Sequence, residues 1–116
     1  MWKLVLACAV LAIASPAWAH AFLDHSSPAV GATVTAPKEI SIWFTEEVEP
    51  AFSRIEVIDS AGNRVDQGAT RIDAANHELL HVAVKPLPAG AYKVTWHVVS
   101  VDTHRTQGDF TFTVAP

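Results

Sequence analysis

The feature that most constrains the fold is the short interval at which turn residues interrupt the chain. Between these interruptions apolar and polar side chains alternate: in residues 91–100, Tyr92, Val94 and Trp96 fall on one side, and Lys93 and Thr95 on the other. Alternation with a period of two is typical of strands with one buried face, and no helical apolar repeat follows residue 19. The pattern therefore predicts an all-β domain with turns at prolines and glycines, namely Pro28, Gly31, Pro37, Pro50, Gly62, Gly68, Pro86, Pro88, Gly90 and Gly108.

The alternating segments are predicted as strands. About seven strands in so short a chain favour a two-sheet Greek-key sandwich or barrel, because each sheet then buries the apolar face of the other. Hydrophobic residues make up 50% of the chain, which is enough for a packed core and excludes a disordered protein. The predicted strands cover residues 20–24, 38–45, 53–59, 65–72, 78–84, 91–100 and 109–114.

Residues 1–19 predict a secretory signal peptide. They contain Lys3, an apolar run over residues 4–14 and an A-x-A cleavage site ending at Ala19. The run of about eleven residues is shorter than the roughly 20 that span a bilayer, although an uncleaved anchor or lipid attachment at Cys8 are alternatives. Cleavage after Ala19 predicts a secreted, non-membrane domain over residues 20–116 that begins with His20. That domain has no sulfur, because Cys8 and Met1 are the only Cys and Met.

Composition and motifs exclude several classes of function. The formal charge of −4 argues against nucleic-acid binding, which normally requires a basic face. No C-x-x-C pair is present for zinc, and no Gly-rich loop for phosphate. No G-x-S-x-G turn is present for a nucleophilic serine.

The residues that remain point to a metal site. On extended backbone, Asp102 and His104 would lie on the same side, about 6–7 Å apart, and could reach one ion. A free α-amine on His20 would form a chelate ring with its own imidazole Nδ1. These three residues then supply three nitrogens and one oxygen, a set that suits tetragonal Cu(II). The absence of sulfur excludes a thioether Cu(I) site, so we predict one Cu(II) bound by His20, Asp102 and His104.

The other histidines are predicted to be ordinary surface or strand residues. His25 precedes a Ser-Ser-Pro turn, and His97 is on the polar side of its segment. His77 and His81 are four residues apart, a metal-binding spacing only on a helix, which the local alternation does not support.

At this point the sequence resembles the CopC family of bacterial periplasmic copper-resistance proteins. The resemblance covers the whole secreted domain and is strongest in the S-x-D-T-H ending of residues 100–104 together with His20. The other matching residues are Ser27, Pro28, Ala29, Gly31, Phe44, Thr45, Glu46, Phe52, Ser53, Leu87, Gly90, Tyr92, Trp96, Gly108, Phe110, Phe112 and Val114.

The resemblance implies an immunoglobulin-like (cupredoxin-like) Greek-key β-domain that binds Cu(II) through His20, Asp102 and His104. It also implies that Glu46 lies near the copper, as a hydrogen-bond acceptor for the α-amine or as a weak ligand. A CopD-like inner-membrane copper transporter is the implied partner. Some family members carry a Met-rich loop for Cu(I); this chain has none, which puts Cu(I)/Cu(II) exchange in doubt.

We therefore predict a monomeric periplasmic Cu(II)-binding protein, without enzymatic activity, that sequesters copper or delivers it to a membrane transporter. A copper monooxygenase is one alternative, because such enzymes also use an N-terminal His chelate. The carboxylate of Asp102 argues against it, since it favours the oxidised ion and closes the position that oxygen would take. A metal-free interaction module is the other alternative, because β-sandwiches often serve as binding scaffolds.

Overall fold

The computed structural model describes residues 21–116, which form an all-β domain. A single 3₁₀ turn at Pro50–Phe52 is the only helical element within these residues. The eight strands are β1 (Leu23–Ser27), β2 (Thr33–Val34), β3 (Glu39–Phe44), β4 (Arg54–Asp59), β5 (Asp66–Ile72), β6 (Leu79–Val84), β7 (Gly90–Val99) and β8 (Arg105–Val114).

The strands form two four-stranded sheets packed face to face. One sheet has the order β1-β3-β6-β5 and the other the order β2-β8-β7-β4. Paired strands run antiparallel, apart from the two-residue β2, which is parallel to β8. This arrangement is an immunoglobulin-like Greek-key sandwich, so the predicted fold class is confirmed.

Two strand starts and one additional short strand differ from the sequence prediction. The first strand begins at Leu23 rather than at residue 20, and β8 begins at Arg105 rather than at residue 109. The short β2 was not predicted, because two residues are too few to show alternation. The predicted segments 38–45, 53–59, 65–72, 78–84 and 91–100 each overlap an observed strand, with ends that agree within one residue.

The core lies between the two sheets and contains the apolar side of the predicted alternation. Trp96 of β7 packs edge-on against Phe44 of β3, with ring centroids 5.3 Å apart and an interplanar angle of 72°. This contact joins the two sheets near one end of the sandwich. The fully or nearly fully buried apolar side chains include Ile40, Ile42, Phe44, Ile55, Val57, Leu80, Val82, Tyr92, Val94, Trp96, Val98, Phe110, Phe112 and Val114.

The longest ladder places a hairpin turn at that end. β7 and β8 pair over ten residues each, from Gly90 opposite Val114 to Val99 opposite Arg105. Residues 100–104 therefore close the hairpin at the end of the sandwich where β3 also terminates. Within residues 21–116, no helix has the length and apolar character to cross a membrane.

Candidate metal centre

Asp102, Thr103 and His104 lie in the hairpin turn between β7 and β8. The Thr103 N–H donates to Ser100 O at 2.8 Å, and the Ser100 N–H to His104 O at 2.9 Å. Thr103 has a φ of 72°, in the left-handed region that β-branched residues seldom adopt. The prediction that Asp102 and His104 share one side of an extended strand is therefore wrong, because the chain reverses direction between them.

The turn nevertheless brings the two side chains together. Asp102 Oδ1 is 3.2 Å from His104 Nδ1, and the side chains are 32% and 54% exposed. The His104 N–H also points to Oδ1, at 3.4 Å. An oxygen donor and a nitrogen donor thus face each other at the protein surface, as the prediction of a shared metal site requires.

Ser100 positions the Asp102 carboxylate through a hydrogen bond. Its side chain is completely buried, and its hydroxyl donates a hydrogen bond to Asp102 Oδ1. This hydrogen bond, opposed by partial burial and reinforced by His104, lowers the pKa of Asp102 below its ordinary value. Asp102 is therefore ionised at neutral pH. Ser100 is the first residue of the S-x-D-T-H motif, but its hydrogen bond to Asp102 was not predicted from the sequence.

The first described residues lie against the same end of the sandwich. Ala21 is fully buried, and its carbonyl accepts a hydrogen bond from the Thr106 hydroxyl at the start of β8. Phe22 N–H donates to Thr45 Oγ1 at 3.0 Å, and Thr45 N–H donates to Phe22 O at 2.8 Å. Residues 21–22 are thus held between the start of β8 and the segment after β3. His20, the predicted chelating residue, lies outside the described residues.

Glu46 lies on a segment that runs beside the hairpin turn. Val101 N–H donates to Glu47 O at 3.1 Å, and Glu49 N–H donates to Val99 O at 2.8 Å. Glu46 itself is half-buried and directly follows Thr45, which contacts Phe22. Within residues 21–116, no hydrogen bond or ion pair joins Glu46 to Asp102 or His104.

In the described part of the chain, no three His, Cys, Asp or Glu side chains converge into a group that could hold a metal ion. Asp102 and His104 are a pair. The predicted four-donor set therefore depends on His20, and its assignment remains a prediction.

His25 and His97 lie on strands β1 and β7. His25 is in β1 rather than in a turn, and its ring stacks on Trp43 with centroids 4.3 Å apart and 12° between planes. Its Nδ1 is 2.6 Å from Asp24 Oδ2. His97 is on β7 opposite Arg54 and Gln107, on the side of the strand away from the core, as predicted.

His81 lies on β6, in the same sheet as His25, and belongs to a separate polar network. Its Nδ1 is 2.7 Å from Ser41 Oγ, and its Nε2 is 2.9 Å from Asp73 Oδ1. The contact with His81 lowers the pKa of Asp73. His77 lies in the turn before β6, so no helix places His77 and His81 on one face, as predicted.

Comparison with known proteins identifies the family. The CopC domain family matches residues 23–115. Copper resistance protein C of Xanthomonas campestris pv. juglandis is 36% identical over 116 residues, covering 95% of this chain and 91% of that protein. The crystal structure of CopC from Methylosinus trichosporium OB3b superposes with a TM-score of 0.78 at 36% identity, covering 84% of this chain and 95% of that one.

A longer relative also matches. Copper transport protein CutJ of Bacillus subtilis strain 168 is 34% identical over 115 residues, which are 97% of this chain but 21% of CutJ. This chain thus spans about a fifth of the length of that relative. The family match over nearly the whole described domain, the relatives above 30% identity and the matching fold agree with one another. The chain belongs to the CopC family.

Proposed function

We propose that this chain is a periplasmic copper protein that binds one Cu(II) ion through His20, Asp102 and His104, with Glu46 beside the site. The ion is cargo: the protein sequesters it or delivers it to a membrane transporter, and catalyses no reaction. Family membership supports a role in copper resistance or transport.

The observation that carries the proposal is the position of Ala21. Its carbonyl is hydrogen-bonded to Thr106, two residues beyond His104, and the adjoining Phe22 is hydrogen-bonded to Thr45, one residue before Glu46. His20 is the residue that directly precedes Ala21. The segments that contain Glu46 and His104 are therefore both hydrogen-bonded to residues 21–22, directly after His20, which supports a site assembled at this end of the sandwich.

The chemistry of the pair fits a copper ligand set. Two ligand atoms at adjacent positions, each about 2.0–2.2 Å from a metal, are separated by about 3 Å. Asp102 Oδ1 and His104 Nδ1 are 3.2 Å apart, close to that separation. The hydrogen bond from Ser100 keeps the carboxylate ionised and oriented, as supporting contacts around metal ligands commonly do. An amine and two imidazoles with one carboxylate suit tetragonal Cu(II), and the secreted chain offers no sulfur donor for Cu(I).

The delivery role is supported by the CutJ comparison. CutJ is named a copper transport protein, and a segment similar to this chain forms about a fifth of it. A segment similar to this chain is thus part of a much longer polypeptide that is named a copper transport protein. A CopD-like inner-membrane copper transporter is the partner that the family relationship suggests, and the predicted signal peptide supports a periplasmic location.

The ligand assignment can be tested by Cu(II) titration of the secreted protein. We expect saturation at one equivalent, with a d–d absorption band and nitrogen hyperfine splitting in the paramagnetic resonance spectrum. Replacing His20→Ala removes the imidazole. Acetylating the α-amine of His20 keeps the imidazole but blocks the amine, so it isolates the contribution of the chelate ring. Both changes should weaken binding at least tenfold.

His25→Ala is the matched control, because His25 is an exposed histidine that contacts Asp24 and Trp43 rather than the hairpin turn. It should leave Cu(II) affinity unchanged. An unchanged affinity in the acetylated protein would refute the chelate. Mass spectrometry of the secreted protein must also give His20 as the first residue, since any other cleavage site excludes an α-amine ligand at this position.

A further inference from the structure

A groove on the outer face of the second sheet lies next to the hairpin turn. Two adjoining depressions, of about 300 and 310 Å³, share Phe52, Arg54 and Arg105. The floor is formed by β7 and β8, where His97 lies between Arg54 on one side and Gln107 on the other. Arg105 directly follows His104, so the groove begins at the edge of the candidate copper centre.

The groove is cationic on a protein that is net acidic. The chain has a formal charge of −4, yet among residues 21–116 the only Lys, Arg, Asp or Glu side chains that line either depression are Arg54 and Arg105. The Arg105 side chain makes no ion pair or hydrogen bond within residues 21–116. Arg54 uses its Nε for Glu56 at 3.0 Å, and its two terminal nitrogens have no hydrogen-bonding partner in that range. Guanidinium groups with unused donors bind carboxylates through paired hydrogen bonds.

An exposed aromatic ring completes the surface. Phe52 is 68% exposed, the highest exposure among the large apolar side chains of the described residues. It occupies the last position of the 3₁₀ turn Pro50–Phe52, and Ser53 separates it from Arg54, the first residue of β4. Exposed aromatic and arginine side chains side by side are typical of the energetically important part of protein interfaces.

We propose that this groove is a docking site for an acidic segment of a protein partner, in which carboxylates contact Arg54 and Arg105 and a neighbouring apolar side chain covers Phe52. An anionic membrane fits the surface less well. Two arginines are fewer than the basic clusters that recognise anionic lipids, and the negative charge of the whole protein would oppose approach to such a membrane. A concave groove also matches side chains rather than a flat headgroup layer.

The docking proposal stands on the groove itself, whereas its use in copper transfer rests on the proposed function. A partner docked here would lie beside His104, so a copper ion leaving the turn would have a short path to it. The positive charge of the groove would therefore hold the partner next to the bound copper ion.

The test uses a fluorescently labelled eight-residue peptide of aspartate and glutamate with one leucine and one phenylalanine. Its binding to the secreted protein is measured by anisotropy, with and without one equivalent of Cu(II). Arg54→Glu and Arg105→Glu should each weaken binding about tenfold, because attraction is replaced by repulsion, and Phe52→Ala should weaken it severalfold. Raising the salt concentration should also weaken peptide binding, because salt screens the attraction between the arginines and the acidic side chains.

Lys85→Glu is the matched control, since it makes the same change in net charge at an exposed lysine directly after β6, outside both depressions. It should have little effect. The proposal is overturned if Lys85→Glu and Arg105→Glu weaken binding equally, or if a peptide with glutamine and asparagine in place of the acids binds as well. It is also overturned if phosphatidylglycerol vesicles, rather than the peptide, bind in a manner that depends on the arginines. Cu(II) affinity of Arg105→Glu, measured separately, keeps a failure of docking distinct from a failure of copper binding.

Discussion

The replacement of Gly108 by alanine tests how the core holds the hairpin that carries the candidate site. Gly108 lies opposite Trp96 in the β7–β8 ladder, and the indole covers it. A Cβ added to Gly108 would be 2.5 Å from Trp96 Cζ2 and 2.8 Å from Cε2. Favourable carbon–carbon contacts are about 3.5–4.0 Å, so the ring would have to move by about 1 Å. Trp96 is 5% exposed and packs against Phe44, so such a movement would disturb the contact between the sheets.

The expected cost follows from two opposing effects. Overpacking a dense core destabilises the folded state by about 1–3 kcal/mol. Alanine restricts the unfolded chain more than glycine, which offsets about 0.4–1 kcal/mol. The free energy of unfolding of Gly108→Ala should therefore fall by about 1–2 kcal/mol. For a domain of this size, that fall should lower the melting temperature by about 5–15 °C. Urea unfolding followed by tryptophan fluorescence, together with a thermal melt, measures both quantities.

Two further variants test whether the collision with Trp96 causes the loss of stability in Gly108→Ala. Gln107→Ala changes the outward-facing neighbour and should alter stability by less than about 0.5 kcal/mol. Trp96→Phe replaces the indole with a smaller ring, so the double variant should lose at least about 0.5 kcal/mol less than the sum of the single losses. Wild-type stability in Gly108→Ala, or strict additivity in the double variant, would refute the steric argument.

Three other predictions concern the turn and an ion pair. Ser100→Ala removes the hydroxyl that orients Asp102 and should weaken Cu(II) binding about tenfold in a competition titration; an unchanged affinity would show that Ser100 has no positioning role. Thr103→Asn replaces a β-branched residue at a φ of 72° and should raise the free energy of unfolding by about 1 kcal/mol, which a melt without stabilisation would contradict. Burial of Asp66 opposes its ionisation, but hydrogen bonds from Arg64 and from the Val57 N–H outweigh it and lower its pKa. Its stabilisation is therefore present above the ordinary pKa of an aspartate and is lost as the pH falls through the lowered value. In urea unfolding, Asp66→Asn should cost about 1 kcal/mol at pH 7 and progressively less as the pH falls below the ordinary pKa of an aspartate, and a loss that does not change with pH would count against this linkage.

The alternation in the sequence was sufficient to predict the sandwich because segments such as residues 91–100 have one buried face. The alternation did not predict residues 105–108 of β8, and the reason is physical. The inward positions there are Thr106 and Gly108, which are not apolar, because Trp96 fills the space above Gly108 and Thr106 is hydrogen-bonded to Ala21. The alternation becomes visible only from Phe110 onward. A strand whose inward side is supplied by its neighbour cannot be recognised from its own residues.

The candidate site, too, was predicted only in part from the sequence. Asp102 and His104 were identified from their chemistry, and their side chains do meet, but the assumed extended backbone was wrong. The pair converges because the Ser100 hydrogen bonds and the left-handed Thr103 close a turn, and neither is visible in an i, i+2 spacing. The contact of Thr106 with Ala21 joins residues 85 positions apart, which only the folded topology brings together.

The register of β7 and β8 connects the core, the candidate copper centre and the groove. Side chains alternate across a strand, so a shift of one residue in β8 would exchange its inward and outward sets. In the observed register, Arg105 points outward to line the groove, and Thr106 reaches Ala21. Gly108 under Trp96 favours this register, because a side chain at that position would collide with the ring. A core change that displaced the hairpin would therefore disturb the groove and the Ala21 contact together. Cu(II) affinity and acidic-peptide binding should fall in parallel in any Gly108 variant that alters the ladder, although neither ligand contacts the glycine.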